Sequence, residues 1–280
     1  MRIPDSHTLA ACEAASVPYY QFPSFAAMPF VRHGFSTRFG GVSEGIYASM
    51  NLSFTRGDDK EAVYENFKRF CTAIGTRADH VVISAQEHHT VVREVTADDI
   101  GRGITRDREY TDVDGLMTNV PGVVLCTQYA DCVPLLFVDP VRRVVATSHS
   151  GWKGTVAQIG AVTVRRMQDV YGCLPEDIVA AIGPSIGPCC FEVDSPVYEA
   201  FSTLPFADET ILHDDKNGKY HIDLWETNRR ILLEAGVLEE HITVTDLCTR
   251  CHPDVFWSHR ATGGERGSLA AFISLEEERI

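Results

Sequence analysis

The chain has 280 residues, 44% of them hydrophobic, enough to bury a full core as one large domain, and no linker, repeat or low-complexity tract divides it. A formal charge of −14 argues against a nucleic-acid surface, which needs clustered Lys and Arg to release the counterions of phosphates. No stretch approaches the ~20 apolar residues of a membrane span, the N-terminus lacks the charged-then-apolar order of a signal peptide, and nine cysteines, an odd number in a large chain, suit a reducing cytoplasm.

Residues 1–30 read as an N-terminal extension. Next come Ser36-Thr37-Arg38, Gly40-Gly41 and Asn51, which together offer hydroxyls, a guanidinium fork and exposed backbone N–H groups, the ingredients of phosphate or ribose binding. The same residues also suit an ordinary surface hairpin with Arg38 paired to a carboxylate. Asp59 to Gly75 is expected to be a helix, with Val63, Phe67, Phe70, Cys71 and Ile74 on one face and Gly75 as its stop. Strand-like runs follow at Val81, Val91, Val123, Val133 and Val144. A helix is expected from Gly154, with Val156, Ile159, Met167 and Val170 on one face. Beyond it lie a strand near Ile178 to Ile182, helices from Ser195 and from Leu224 to Ala235, and strands near Ile242 and Leu269. Strands that cluster in the middle of the chain argue against a repeating βαβ barrel and for an α/β sandwich of mixed sheets flanked by helices.

Chemistry concentrates around Cys132 and His149. Val133 to Val138 and Arg143 to Thr147 form a strand pair broken by Asp139-Pro140, so antiparallel pairing brings Cys132 at one end beside His149 at the other. A thiolate and an imidazole so placed suit zinc or copper. A third ligand is needed for an open zinc site, and His88, at a corner between the Val81 and Val91 strands, is the candidate, with His89 its rival. Taken alone, Cys132 also fits a small buried hydrophobe. Lys153 and Arg260 are further cationic candidates for phosphate, and Asp131 is a candidate proton carrier. Cys248-x-x-Cys251 with His252, together with Cys189-Cys190, invites a second zinc reading, but one C-x-x-C without a mate at finger spacing favours structural cysteine.

Seven segments, among them SAQEHHTVV, YADCVPLLFVDP, ATSHSGWKGTVAQI and DLCTRCHPDVFWSHRATGGERG, closely resemble the YfiH-like, or laccase-domain, family from about His33 to Arg266. That family is variously described as polyphenol oxidase, purine nucleoside phosphorylase and peptidoglycan editing factor. The resemblance implies a layered α/β fold and metal ligands at His88, Cys132 and His149. Gln86 sets the register that selects His88, although His89 replaces the family's usual glycine. It also implies that Cys190 and Cys248 are recurring positions near the core rather than established ligands.

The expected function is therefore a zinc-dependent purine nucleoside phosphorylase acting on adenosine, inosine, guanosine and methylthioadenosine with phosphate, which also deaminates adenosine. Arg38, Asn51, Lys153 and Arg260 are the expected substrate-binding groups. A copper-dependent polyphenol oxidase is the first alternative, disfavoured because a multi-copper centre needs far more clustered histidine than His88-His89. The second is a hydrolase editing peptidoglycan precursors, with Cys132 as nucleophile and His149 as its base.

Overall fold

The computed structural model describes residues 3–214 and 219–276. Among these, the strands form two six-stranded mixed sheets and one three-stranded sheet. The first large sheet runs, edge to edge, through Ala10–Ala14, Val17–Gln21, Val31–Ser36, Leu269–Leu275, Val124–Tyr129 and Val81–Ile83. The second runs through Ile242–Val244, Val179–Ile182, Val133–Asp139, Val144–Ser150, Gly115–Thr118 and Val92–Glu94.

Side-chain alternation stacks these sheets into four layers. Leu125, Leu269, Ala271 and Ile273 of the first sheet pack against Leu116, Leu136, Val138 and Val145 of the second, forming a core between them. The outer face of the first sheet carries the helix Lys60–Ala73, which presents Val63, Phe67 and Phe70 to Phe272. Asp59 caps that helix by accepting from the Glu61 and Ala62 N–H groups, and Gly75, at φ +75°, ends it. The outer face of the second sheet carries Ile159–Tyr171 and Leu224–Glu234. Every residue of Val133–Asp139 and Val144–Ser150 is buried, because each strand is covered on both faces. This is the mixed-sheet sandwich that the strand distribution led us to expect.

Three local departures have physical causes. Residues 1–30, read as an extension, contribute two strands at the edge of the first sheet and the fully buried Tyr20, Phe22 and Phe25. Their hairpin turns through Ala15 and Ser16, both at positive φ, so the usual Asn-Gly signal is absent. The helix expected from Gly154 is divided into Trp152–Val156 and Ile159–Tyr171, because Gln158 adopts a left-handed conformation at φ 57°. The strand Gly115–Thr118 was not anticipated; four wholly buried residues show no alternation to detect.

Candidate metal centre and substrate cavity

The hairpin forms as its sequence predicts. Val133 pairs with Ser150 and Pro134 with His149, so Cys132, one residue before the first strand, arrives beside the end of the second. His88 comes from elsewhere. It lies between Val81–Ile83, in the first sheet, and Val92–Glu94, in the second, so its corner spans the open end of the sandwich. His88 itself has φ 65°, a left-handed turn position.

One ligand atom from each of His88, Cys132 and His149 lies within 4.8 Å of the other two. The two imidazole rings meet edge to face with centroids 4.7 Å apart. Gly151 makes this convergence possible: a Cβ there would sit 2.4 Å from His88 Nδ1 and 3.3 Å from Cys132 Sγ. His89 turns away and pairs with Asp112 at 2.6 Å. Geometry therefore groups His88, not its neighbour, with Cys132 and His149.

Asp114 organises the cluster. Its Oδ1 accepts from His149 Nδ1 at 2.8 Å and from the His88 backbone N–H at 3.0 Å. Its Oδ2 accepts from the backbone N–H groups of Glu87 and His89, at 2.9 and 3.1 Å. One fully buried carboxylate thus fixes both the corner that carries His88 and the tautomer of the neutral His149 ring, whose Nε2 lone pair then faces a cation. Burial opposes the charged carboxylate, but these hydrogen bonds hold Asp114 below its ordinary pKa. Burial likewise opposes charge on His149, yet the Cys132 sulfur and Asp114 outweigh it and push that imidazole up to about 9. His88 moves the other way, lowered first by desolvation and then by His149. The surroundings thus favour a proton on His149, which a bound cation would displace. Two imidazoles, one of them oriented by a carboxylate, and one sulfur form a donor set that zinc fits, with room for a fourth ligand.

The cluster opens into a cavity of about 690 Å³. Arg260 lines it, but Arg38, Asn51 and Lys153 do not. Arg38 stacks 3.9 Å from the centre of the Trp257 ring and donates to the Pro253 and Ala48 carbonyls. Asn51 is buried, accepting from the Ser268 N–H at 2.9 Å and donating to Asp58. Lys153 Nζ lies 5.6 Å from the centre of the Trp152 ring. Asp131, at the mouth of the hairpin, has both oxygens engaged: Oδ1 accepts from Thr249 Oγ1 and Oδ2 from the Arg260 N–H, each at 2.7 Å. It is an anchor for the wall that carries Arg260.

The cavity contains three cations that sequence reasoning did not select, Arg56, Arg108 and Arg266; Arg108 donates to the Ser84 carbonyl at 2.8 Å. Arg266 is only 7% exposed, and its Nε has no hydrogen-bond partner. No carboxylate forms an ion pair with it among the described residues. Burial, and then repulsion from Arg56, pull its guanidinium down to about 10. Nothing around Arg266 or Asp114 in the sequence marks either as special; both acquire their roles from residues far away in the chain.

Comparison with known proteins places this geometry in a family. The purine nucleoside phosphorylase YlmD of Bacillus subtilis is 38% identical over 248 residues, covering 87% of this chain and 88% of that protein. The adenosine deaminase RL5, from an unknown prokaryotic organism, is 35% identical over 238 residues, with 83% of this chain and 90% of that protein covered. The crystal structure of the Bacillus licheniformis protein YfiH superposes with a TM-score of 0.89 at 35% identity, covering 96% of this chain and all of that one. Residues 32–276 match the family model described as multi-copper polyphenol oxidoreductase laccase. With its mixed-sheet sandwich and a match spanning most of its length, the chain belongs to that laccase-domain family.

Proposed function

We infer that this protein is a zinc-dependent purine nucleoside phosphorylase acting on adenosine, inosine, guanosine and methylthioadenosine, with adenosine deaminase activity, in the cytoplasm. The observation that carries the reading is the meeting of His88, Cys132 and His149 at the wall of a cavity that also holds Arg266, a buried cation without an ionic partner among the described residues. The relatives named purine nucleoside phosphorylase and adenosine deaminase support it.

His88, Cys132 and His149 would hold the zinc ion, which would supply Lewis acidity at the cavity wall. The chain's own groups supply the rest. Asp114 orients His149 and the His88 corner. Arg266 and Arg56 hold phosphate, and an anion between them relieves their mutual repulsion. Arg260, positioned by Asp131, closes the side of the pocket beside Phe191. In phosphorolysis, a phosphate oxygen bonds to the anomeric carbon as the bond from that carbon to the purine nitrogen breaks, and the purine leaves with a proton. In deamination, water adds at C6 of adenine and ammonia departs. Arg38 and Asn51 then serve at one remove, fixing the loops beneath the cavity, and Lys153 acts at its rim.

Purified zinc-loaded protein incubated with adenosine and phosphate is expected to yield adenine, ribose 1-phosphate and inosine. Absence of all three would sink the proposal. Arg266→Gln should raise the KM for phosphate at least tenfold while leaving deamination, which uses no phosphate, within a few-fold. Equal loss of both activities would remove Arg266 from phosphate binding.

A second reading has its own observation in favour: Cys132, His149 and Asp114 also stand in the order nucleophile, base and orienting carboxylate. Iodoacetamide separates the two. A zinc-bound sulfur resists alkylation, whereas a nucleophilic Cys132 reacts at once. The copper oxidase reading finds little support among the described residues, whose candidate metal-binding groups contain just His88, His89 and His149.

A further inference from the structure

Away from the cavity, two loops bring four thiols together. Cys189 and Cys190 lie on the turn after the strand Val179–Ile182, and Cys248 and Cys251 lie on the loop after Ile242–Val244. Those two strands are parallel neighbours in the second sheet, so their C-terminal loops emerge side by side. A β-bridge between Ser185 and Cys248, and the hydrogen bond from the Thr249 N–H to the Ser185 carbonyl at 3.0 Å, continue the pairing into the loops. Trp225 Nε1 donates to Ser185 Oγ, and Gly187 lets the turn approach closely, since a Cβ there would lie 2.8 Å from the Trp225 ring.

The sulfurs are spaced as ligands. Cys189 to Cys190 is 3.6 Å, Cys189 to Cys251 is 3.6 Å and Cys190 to Cys251 is 3.5 Å. All four sulfurs lie within 4.8 Å of one another. These are not disulfide distances, which are ~2.05 Å. They approach the ~3.8 Å edge of a tetrahedron whose centre holds zinc at ~2.3 Å from each sulfur. Two N–H groups already face the cluster: the Gly187 backbone donates to Cys248 Sγ at 3.2 Å, and Arg250 Nη1 donates to Cys190 Sγ at 3.5 Å. Donors of this kind stabilise thiolate, the form a metal binds. His252, the neighbouring residue in sequence, is not part of the group.

We propose that Cys189, Cys190, Cys248 and Cys251 bind a second, structural zinc ion in a closed four-sulfur site. On binding, four thiols release four protons to solvent and form four zinc–sulfur bonds, leaving the site with two net negative charges facing the Arg250 guanidinium. No coordination position remains for substrate, and none of the four cysteines lines the cavity. The site's effect is to clamp the two loops that supply part of the cavity wall. Ile186 and Phe191 come from the first loop, and His259 and Arg260 follow the second, with Thr249 tied to Asp131 between them. The assignment is independent of what the His88–Cys132–His149 cluster does.

The test counts zinc with the first cluster disabled. Cys132→Ala protein, purified under reducing conditions without added metal, is expected to retain one zinc per chain, with X-ray absorption showing four sulfur neighbours. Adding Cys189→Ser and Cys251→Ser should reduce that to none. Should the triple variant fail to fold, Cys132→Ala with Cys251→His keeps four ligands, and its cobalt form is expected to lose the four-sulfur spectrum for a three-sulfur, one-nitrogen one. In the unmodified protein, the exposed Cys189 and Cys251 should resist iodoacetamide until zinc is withdrawn. A zinc-free Cys132→Ala protein, iron in place of zinc, nitrogen or oxygen neighbours, or free alkylation of native Cys189 and Cys251 would each overturn the proposal.

Discussion

The two sulfur-containing clusters of this molecule contrast in where their ligands originate and in what surrounds them. Cys132 and His149 come from the ends of two paired strands of one sheet and His88 from the corner that links the two sheets; all three face a cavity and share a buried polar support centred on Asp114. The four cysteines come from two adjacent loops, face one another, and have an N–H donor at two of the sulfurs. An open site must hold its geometry with one side vacant, so it needs rigid strands and an orienting carboxylate. A closed site is held by its own ligands and can be built on loops. Location follows from the two proposals: the first site is placed for chemistry, and the second for fastening loops.

The sharpest way to break the contrast is at Gly151. Gly151→Ala places a methyl group where His88 Nδ1 and Cys132 Sγ converge, so it is expected to abolish metal retention at the open site and turnover with it, leaving zinc at the four-cysteine site. Unchanged activity would show that the three side chains do not act around one ion. Asp114→Asn keeps the shape but gives up the carboxylate. Losing such support typically costs ~10–100-fold in metal affinity or activity, measurable by zinc competition and by initial rates. An effect confined to thermal stability would make Asp114 a scaffold alone.

Thr249→Val probes the link between the two regions. It removes the hydrogen bond to Asp131 Oδ1 while the Arg260 N–H still holds Oδ2. A stability loss of about 1.5–3 kcal/mol is expected for a buried bond to a charged group, read by denaturant unfolding. The accompanying change in nucleoside KM should be only a few-fold, with the metal content unaltered.

Much of the architecture was legible in the pattern. The helix Lys60–Ala73 and the hairpin Val133–Ser150 declare themselves through spacing and through their stops, because both are local consequences of where apolar residues recur. The hairpin alone brings Cys132 to His149, and Gln86 indicates His88 through the family resemblance. The strands at residues 10–21 and 115–118 escaped, since a glycine-free turn and a wholly buried run carry no distinctive signal. Of the substrate-binding candidates, Arg260 lies at the cavity while Arg38, Asn51 and Lys153 do not line it; Arg266, which does, went unnoticed.

What the amino-acid order by itself determined is most of the elements and the meeting of Cys132 with His149 across a hairpin, with His88 at a corner as the proposed third member of the cluster. Only the packed structure decided that Asp114 supports the segments carrying His88 and His149, that Arg266 is buried with no carboxylate paired to it among the described residues, and that two loops distant in sequence bring four sulfurs together. The physical reason is range. Periodicity and turn chemistry act over a few residues, while desolvation, charge pairing and ligand convergence depend on neighbours that only the stacking of the two sheets provides.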